Sequence, residues 1–466
     1  MSEADNALQE RVAELRSELD VPGVAVGVWH DGAERYAFDG VTSVRNPLPV
    51  DETTLFQFGS TGKTFTATAM MRLVERGEVE LEAPVRRYLP EFALQDENVA
   101  RDVTVLHLFN HTAGWEGDLS DNTGEGDDAL ERYVGLMKNI RQVSPLGANV
   151  SYNNASLSVA GRILEQITGT TYEQAMKDLV LDPLGLDDTL FFMTEIMMRR
   201  FVVGHSLEDD GTIKPARVWA MPRGGAPAGG MSATAADQLA WARFHLGDGT
   251  APDGTRVLSA ESVHRMQQPT VSMPGSAIGD HVGISWLLRD VGGLRLVTHG
   301  GTTIGQYSEF VMVPERDFAI IAMTNCGPNG HQFNEGMVDW ALEHYLGVTD
   351  TQPEQLKLSD DQLTPYTGTF ETIVALCEIT ARDGWLRVNV SVKPEMKQTI
   401  RDAGDDPDQE SPELPVALLA GTEDRYVIPE GAAKGMKGFF VRDDAGTVVG
   451  VHIGGRLATR VGALVS

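Results

Sequence analysis

The residue pair that most clearly offers chemistry stands at the start of a predicted helix. The segment Phe58-Gly59-Ser60-Thr61-Gly62-Lys63-Thr64 follows a short apolar strand and leads into an apolar helix predicted from Lys63 to Arg76. Residues three positions apart on a helix share a face, so the Lys63 amine would lie beside the Ser60 hydroxyl. A serine is an effective nucleophile only when a neighbouring group takes its proton. The spacing therefore indicates nucleophilic chemistry at Ser60, with helix N–H groups available to an oxyanion.

Two other interpretations fit the same segment. Gly62-Lys63-Thr64 matches the end of a phosphate-binding G-x-x-x-x-G-K-[ST] loop, but Gln57 stands where that loop requires its first glycine. A serine that caps a helix, followed by a solvated lysine, is the ordinary explanation of an isolated S-x-x-K. The choice between these interpretations depends on what the rest of the chain contains.

Two later segments favour the nucleophile. Tyr152-Asn153-Asn154 precedes an amphipathic helix predicted from Ser156 to Thr168, and His299-Gly300-Gly301-Thr302 follows a strand predicted from Leu294 to Thr298. Taken alone, the first is typical of a capping turn and the second of a tight turn. An S-x-x-K, a Y-x-N and an H-x-G in this order, each at the boundary of a predicted element, together indicate one catalytic centre.

With these segments in place, the chain resembles the serine β-lactamase and penicillin-binding-protein superfamily, in its class C and esterase-like branch. The resemblance covers about residues 7 to 346, and a shorter segment beyond them is similar to the start of the lipocalin-like domain often appended to such enzymes. The segments that carry it are Leu81–Pro90, Val103–Gly114, Asp182–Leu186, Gly229–Thr234 and, for the appended domain, Tyr366–Phe370.

The resemblance implies a role for each residue of the centre. Ser60 would be the acyl-accepting nucleophile, and the backbone N–H groups of Ser60 and Thr302 would form the oxyanion hole. Lys63 would join Ser60 and Tyr152 in a hydrogen-bonded cluster, and its positive charge would lower the pKa of Tyr152. Tyr152 would then take the serine proton and return it to the leaving group. Asn154 would position Lys63 and an acyl amide.

The third motif departs from the pattern of the β-lactamases. His299 stands where they carry lysine, and a neutral histidine binds a substrate carboxylate less dependably than lysine does. This difference favours the esterase, aminopeptidase and amidase members of the superfamily. Gly301 is expected beside the substrate, and Trp115 and Trp286 are candidates for the acyl pocket, although core packing explains them equally well. His111 is expected to be structural.

The predicted elements suggest two folded units. Strands at both ends of residues 1–348 bracket a helical stretch at about 83–250, which predicts an α+β antiparallel sheet with a helical insertion. Residues 349–365 are predicted to be a linker. Residues 366–466 read as short strands around an acidic loop, Asp402–Glu413, and predict a small all-β barrel, lipocalin-like by the resemblance.

Composition excludes several function classes. The 466 residues carry a net charge of −29, which argues against nucleic acid and anionic membrane as partners. The N-terminal residues lack the pattern of a signal peptide, so a cytoplasmic protein is expected. Cys326 and Cys377 are expected to be free thiols, and the absence of a Cys/His cluster predicts no metal. No organic cofactor is expected, and the oligomeric state stays open.

The sequence therefore predicts a serine acyl hydrolase that acts through an acyl-enzyme on small-molecule or peptidyl substrates. Carboxylic esters, small peptides and amides, including D-configured ones, are the expected class. A penicillin-binding-protein-type thioesterase or peptide cyclase is the alternative with the same first step, and a β-lactamase is another. A ligand-binding protein that kept the fold without turnover is the alternative from a different class.

Overall fold

A computed structural model of the chain describes most of its length. The described residues are 3–119, 121–208, 210–219, 221–351, 353–397, 412–422, 424–431 and 433–461. The predicted acidic loop Asp402–Glu413 lies outside them except for its last two residues.

The helices concentrate in the middle of the chain, as the sequence predicted. They are α1 (Glu3–Glu18), α2 (Gly62–Glu75), α3 (Glu97–Asp102), α4 (Val105–Phe109), α5 (Ala129–Leu136), α6 (Ala155–Thr168), α7 (Tyr172–Met176), α8 (Asp182–Leu184), α9 (Met193–Ile196), α10 (Ala235–Leu246), α11 (Ala260–Met266), α12 (Asn329–Leu346) and α13 (Asp360–Leu363).

The strands of the first unit come from both of its ends. They are β1 (Gly23–His30), β2 (Ala33–Gly40), β3 (Phe56–Gln57), β4 (His205–Leu207), β5 (Ile213–Pro215), β6 (Ser232–Ala233), β7 (Val271–Ser276), β8 (Gly279–Val282), β9 (Leu287–Val291), β10 (Leu294–Thr298), β11 (Gly301–Thr302), β12 (Tyr307–Val313), β13 (Phe318–Thr324) and β14 (Cys326–Gly327).

One antiparallel sheet joins the two ends of this unit. Its strand order is β2-β1-β13-β12-β10-β9-β8-β7, and β11 adds to β12. The first strands of the chain thus pair with strands formed some 300 residues later, for example at Val28 and Ile320. The predicted α+β fold with a sheet assembled from both ends is confirmed.

The sheet separates two apolar layers, because successive strand side chains point to opposite faces. On one face Val24, Val26 and Val28 pack with α1 and α12. On the other face Ala25 and its neighbours join a larger core with α2, α6 and α10. Helix α2 is buried at almost every position, so its N-terminus, where Ser60 lies, is fixed in the interior.

The last part of the chain forms a closed antiparallel barrel, as predicted. Its core includes Phe370, Leu386 and Phe440. The eight strands, each paired with the next and the last with the first, are β15 (Gly368–Glu371), β16 (Ala375–Arg382), β17 (Trp385–Val392), β18 (Leu414–Leu418), β19 (Arg425–Val427), β20 (Lys437–Arg442), β21 (Val448–Ile453) and β22 (Arg456–Arg460).

Strand β9 begins at Leu287, two residues after Ser285, whose left-handed backbone with φ of 60° interrupts an extended chain. The cysteines are both buried free thiols. Among the described residues, no helix has the length and apolarity needed to cross a membrane.

A buried asparagine after β13 supports the sheet at the point where the chain ends meet. Asn325 Oδ1 accepts the Gly23 N–H at 2.7 Å, and its Nδ2 donates to the carbonyl oxygens of Val41 at 3.1 Å and Thr42 at 3.2 Å. One side chain therefore satisfies three backbone groups of the β1 and β2 region, which are buried away from water.

Replacement of Asn325 by alanine is expected to lower the free energy of unfolding by about 3 kcal/mol, because three hydrogen bonds are lost together. Urea denaturation followed by tryptophan fluorescence measures the change. Asn329→Ala is the control, because Asn329 makes one such bond, to the Leu19 carbonyl; we expect it to cost about 1 kcal/mol. Equal effects of the two substitutions would contradict the role of Asn325.

Candidate active site

Ser60 and Lys63 are adjacent, as the helical spacing predicted. Ser60 lies in a single 3₁₀ turn, Gly59–Thr61, immediately before α2. Lys63 Nζ lies 3.0 Å from Ser60 Oγ and donates a hydrogen bond of 2.7 Å to the Ala228 carbonyl oxygen. The Lys63 side chain is completely buried, at 0% exposure. Among the described residues no carboxylate pairs with it, so the amine is poised beside the serine and not held in an ion pair.

Burial determines the charge of this amine. It lowers the pKa of Lys63 well below its ordinary value; the Asp118 carboxylate opposes this change and the Arg456 guanidinium adds to it. The lysine is therefore neutral at a pH where a surface lysine is charged. A neutral amine at hydrogen-bond distance from Ser60 Oγ can accept its proton.

Tyr152 reaches the same centre from the segment before α6. Lys63 Nζ lies 4.9 Å from the centroid of its ring. His111 fixes the backbone on both sides of this tyrosine, because its carbonyl accepts the Ser151 N–H at 2.9 Å and its Nδ1 accepts the Asn153 N–H at 3.2 Å. The predicted structural role suits His111, whose ring lies 4.5 Å from that of Tyr152.

The pKa of Tyr152 moves in the direction opposite to the expectation. Burial raises it, and contact with the Ser60 hydroxyl and the charge of Arg456 oppose that rise only in part. The expected lowering required a cationic Lys63, but burial disfavours the charged forms of the amine and the phenol alike. In this site Tyr152 is a protonated phenol beside a neutral amine.

The H-x-G segment lies against the serine. Ser308 Oγ donates to the Phe58 carbonyl at 2.8 Å, and Thr61 Oγ1 donates to the His299 carbonyl at 2.8 Å, so these bonds join β12 and the segment before β11 to the turn that carries Ser60. A Cβ atom on Gly301 would lie 1.9 Å from the Phe58 carbonyl oxygen and 2.8 Å from the Ser60 nitrogen. Only glycine permits this approach.

The same contact involves the segments of both predicted oxyanion donors. A Cβ atom on Gly59 would lie 2.8 Å from the Thr302 nitrogen. The backbone nitrogens of Ser60 and Thr302 thus both lie at this close backbone contact, although the two residues are more than 200 positions apart in the chain. Backbone N–H groups beside a nucleophile can stabilise a tetrahedral oxyanion.

His299 is neutral and its tautomer is determined. Its Nδ1 lies 2.7 Å from the Gly300 carbonyl oxygen, which can only accept, so Nδ1 carries the proton and Nε2 presents a lone pair. Burial lowers the pKa of His299 to about 3, and protonation of Lys63 would lower it further. Nε2 is buried and has no partner among the described residues. His299 therefore offers an acceptor and not a cation.

Three sequence assignments need correction. Asn154 Nδ2 donates to Asp118 Oδ1 at 2.6 Å, so this amide is directed to a carboxylate and not to Lys63. Trp115 and Trp286 are fully buried in the core, at 0% exposure each, and present no surface to a substrate. Trp115 Nε1 donates to Asn153 Oδ1 at 3.3 Å. Core packing, the competing explanation for both indoles, is what the structure supports.

The barrel contributes to this site, which no motif of the sequence indicated. The turn between β21 and β22 lies against Tyr152, whose N–H donates to the Gly455 carbonyl at 2.9 Å. The Arg456 guanidinium lies 5.5 Å from the centroid of the Tyr152 ring and pairs with Asp118 at 2.6 Å. The pair of glycines before Arg456 indicates a tight turn, but no sequence signal indicates where such a turn docks.

Comparisons with known proteins identify what the chain is similar to. The Beta-lactamase family matches residues 5–342. The chain is 38% identical to penicillin-binding protein 4 of Amycolatopsis lactamdurans over 322 residues, which are 68% of this chain and 84% of that protein. It is 34% identical to esterase EstB of Burkholderia gladioli over 218 residues, 44% of this chain and 54% of that one.

One solved structure covers the barrel as well. SurE matches 98% of this chain with 99% of its own, at a TM-score of 0.77 and 24% identity, and it has also been solved with D-Leu. At this identity the likeness shows the fold alone. The two-part architecture is therefore shared with a known protein along almost its whole length.

Gly301→Ala is expected to separate β11 from Ser60 and to slow labelling of the serine by an organophosphorus probe at least ~100-fold, the effect of losing one oxyanion donor. Gly135→Ala is the control, because a Cβ atom there meets nothing within 4 Å and alanine favours the α5 helix. Labelling is measured by intact-protein mass against time. Unchanged labelling of a folded Gly301→Ala protein would contradict this geometry.

Proposed function

Because the chain belongs to the Beta-lactamase family, we propose that it is a serine acyl hydrolase that forms an acyl-enzyme on Ser60. The observation that carries the proposal is the completely buried Lys63 amine at 3.0 Å from Ser60 Oγ. A buried lysine is costly to a fold. One that lies beside a hydroxyl and has no carboxylate partner among the described residues is explained by proton transfer.

In the proposed first step Ser60 Oγ attacks the acyl carbon while Lys63 Nζ takes the serine proton. The Ser60 and Thr302 N–H groups stabilise the oxyanion of the tetrahedral intermediate. When that intermediate collapses, the bond to the leaving group breaks, and the Tyr152 phenol donates a proton to the leaving atom. Tyr152 recovers its proton from the Lys63 ammonium, which returns to the neutral amine.

The second step is the reverse of the first with a new acceptor. Water or an amine attacks the acyl carbon, its proton passes through Tyr152 to Lys63, and the serine recovers its proton when the acyl group leaves. Net charge in the buried site is conserved throughout, because the oxyanion forms together with the Lys63 ammonium. No metal or organic cofactor enters these steps.

The proposed substrates are carboxylic esters, small peptides and amides. A neutral His299 supports this class, because it gives a carboxylate no fixed cation where β-lactamases carry a lysine. The 34% identity to an esterase over part of the chain is in keeping with ester substrates. D-configured acyl groups belong among the candidates, since a protein of the same fold binds D-Leu.

Transfer to an amine is the second candidate, and the barrel turn favours it. Gly455 and Arg456 lie on Tyr152, which exchanges the proton of the incoming acceptor. A second folded unit at this point restricts which acceptor approaches the acyl carbon, and exclusion of water is what separates acyl transfer from hydrolysis. A penicillin-binding-protein-type thioesterase or cyclase would use the same first step.

The reaction class is tested by intact-protein mass after brief exposure to activated esters, D- and L-peptidyl thioesters and penicillin. We expect an acyl adduct on the wild type and none on Ser60→Ala, with larger adduct yields from esters or thioesters than from penicillin. Product analysis with and without an added amine separates hydrolysis from transfer. The absence of both adduct and product with every donor would refute the hydrolase and leave a ligand-binding protein.

Lys63→Arg tests the proton acceptor. Arginine stays charged at all accessible pH values and cannot take the serine proton, so acylation should fall by about 100-fold or more. The wild-type rate should fall as the pH drops through the lowered pKa of Lys63, well below the pH at which an ordinary lysine titrates. A wild-type rate that continued to rise towards pH ~10, the ordinary pKa of tyrosine or lysine, would assign the base differently.

A further inference from the structure

Asp118 connects the catalytic centre to the barrel through both of its carboxylate oxygens. Its Oδ1 accepts the hydrogen bond of Asn154 Nδ2 at 2.6 Å, and its Oδ2 lies 2.6 Å from the Arg456 guanidinium. Asn154 directly precedes α6 and stands two residues after Tyr152. A chain of three polar groups therefore runs from the Tyr152 segment, through a carboxylate, to the turn between β21 and β22.

The charges of this pair reach the proton-transfer residues. Asp118 raises the pKa of Lys63, which opposes the dominant effect of burial, and it raises the pKa of Tyr152, which adds to that effect. Arg456 lowers both pKa values. The other titratable groups at the centre are His111 and His299, and burial lowers the pKa of each so far that both are neutral. Asp118 and Arg456 are thus the fixed charges that act on the Lys63 and Tyr152 pair.

The two charges oppose each other only because the barrel is docked. Asp118 belongs to the unit that carries Ser60, and Arg456 is the first residue of a barrel strand. The bond from the Tyr152 N–H to the Gly455 carbonyl and that from the Leu457 N–H to Ser151 Oγ, at 3.3 Å, fix this turn on the tyrosine segment. Without Arg456, an uncompensated carboxylate would face the centre.

We propose that Asp118 and Arg456 are positioning residues, and that the barrel, through Arg456, sets the pH range in which Ser60 is acylated. The inference rests on the proposed acyl transfer at Ser60 and adds a task for the second folded unit. Arg456 cancels the negative charge that Asp118 places near Lys63, which keeps that amine neutral and able to accept the serine proton. Asp118 in turn holds Asn154 and the arginine in place.

The direction in which each substitution moves the pH dependence follows from the charge that remains. Arg456→Met leaves the carboxylate unopposed, which stabilises the protonated amine and moves the acid limb of the acylation rate to higher pH. Asp118→Asn keeps an oxygen for Asn154 but leaves the guanidinium unopposed, and it moves the limb to lower pH. The double variant removes both charges and should return the limb close to that of the wild type.

The expected shifts are moderate. The side chains of Arg456 and Asp118 are 40% and 46% exposed, so solvent screens their charges. With an effective dielectric constant of ~20, we expect one uncompensated charge to displace the acid limb of the acylation rate by about 0.5 to 1 pH unit. A shift of this size changes the rate on the acid limb by about three- to tenfold.

The test is the rate of Ser60 acylation by an uncharged activated ester, p-nitrophenyl acetate. The rate is measured from about pH 4 to about pH 10, a range in which histidine, tyrosine and lysine side chains titrate. An uncharged ester removes any direct effect of the substitutions on substrate charge. Arg456→Lys keeps the positive charge and should retain the wild-type pH dependence. Lys437→Met is the matched control, because it breaks the ion pair between Lys437 of the barrel and Asp350. Neither charge of that pair acts on Lys63 or Tyr152.

Opposite shifts for the two single variants, with recovery in the double variant, would support the inference. Coincident pH dependences, or shifts of both singles in the same direction, would overturn it while leaving acylation by the wild type intact. No acylation of the wild type at any pH would overturn the proposed function and this inference with it. Thermal unfolding of each variant identifies misfolding. If a single variant misfolds, Arg456→Lys is compared with the wild type instead. A pH dependence of Arg456→Lys that differs from that of the wild type would refute the role of charge, because the substitution keeps the charge.

Discussion

The structure around Ser60 depends on one constraint, the burial of a lysine amine in an apolar interior. A charged amine in that position would cost several kcal/mol, so burial favours the neutral form. Its hydrogen bond to the Ala228 carbonyl and its contact with Ser60 Oγ hold it in one geometry. The thorough burial of α2 excludes water from the amine and so favours the neutral form further.

Close backbone approach is the second requirement of the site. The 3₁₀ turn that carries Ser60 and strand β11 come so near to each other that a Cβ atom on Gly59 or Gly301 would overlap the opposite backbone. This approach brings the Ser60 and Thr302 nitrogens together. The hydrogen bonds of Thr61 and Ser308 then fix the distance between two segments that are remote in the chain.

The barrel is more than an appended unit, because its turn provides a carbonyl to the Tyr152 N–H and a cation to Asp118. Small apolar contacts support this docking: Val150, Met273 and Val282 pack with Phe439 of β20. The interface therefore lies within a few residues of Tyr152. A change in how the barrel docks would alter the backbone position of this tyrosine and the balance of charge around it.

Local spacing in the sequence was sufficient for the parts of the site that lie on one element. Ser60 and Lys63 share a helix face, and the strand before His299 and the helix after Tyr152 are apparent from periodicity. The antiparallel sheet built from both ends and the all-β barrel followed from the order of the predicted elements. Long-range contacts were not accessible in this way. Asn154 binds Asp118, and Trp115 and Trp286 are in the core, because neighbours from other elements decide where a side chain is directed.

What the sequence by itself determined, then, is the pairing of Ser60 with Lys63 at the start of a helix and the fold class, since each depends on residue type and local periodicity. The tertiary structure alone decided the protonation of Lys63 and Tyr152, because pKa values depend on burial and on charges brought from distant segments. It also decided that Arg456, almost 400 residues after Ser60 in the chain, lies over the ring of Tyr152. No local pattern encodes such a contact, because the docking of the barrel arises from the packing of two complete cores.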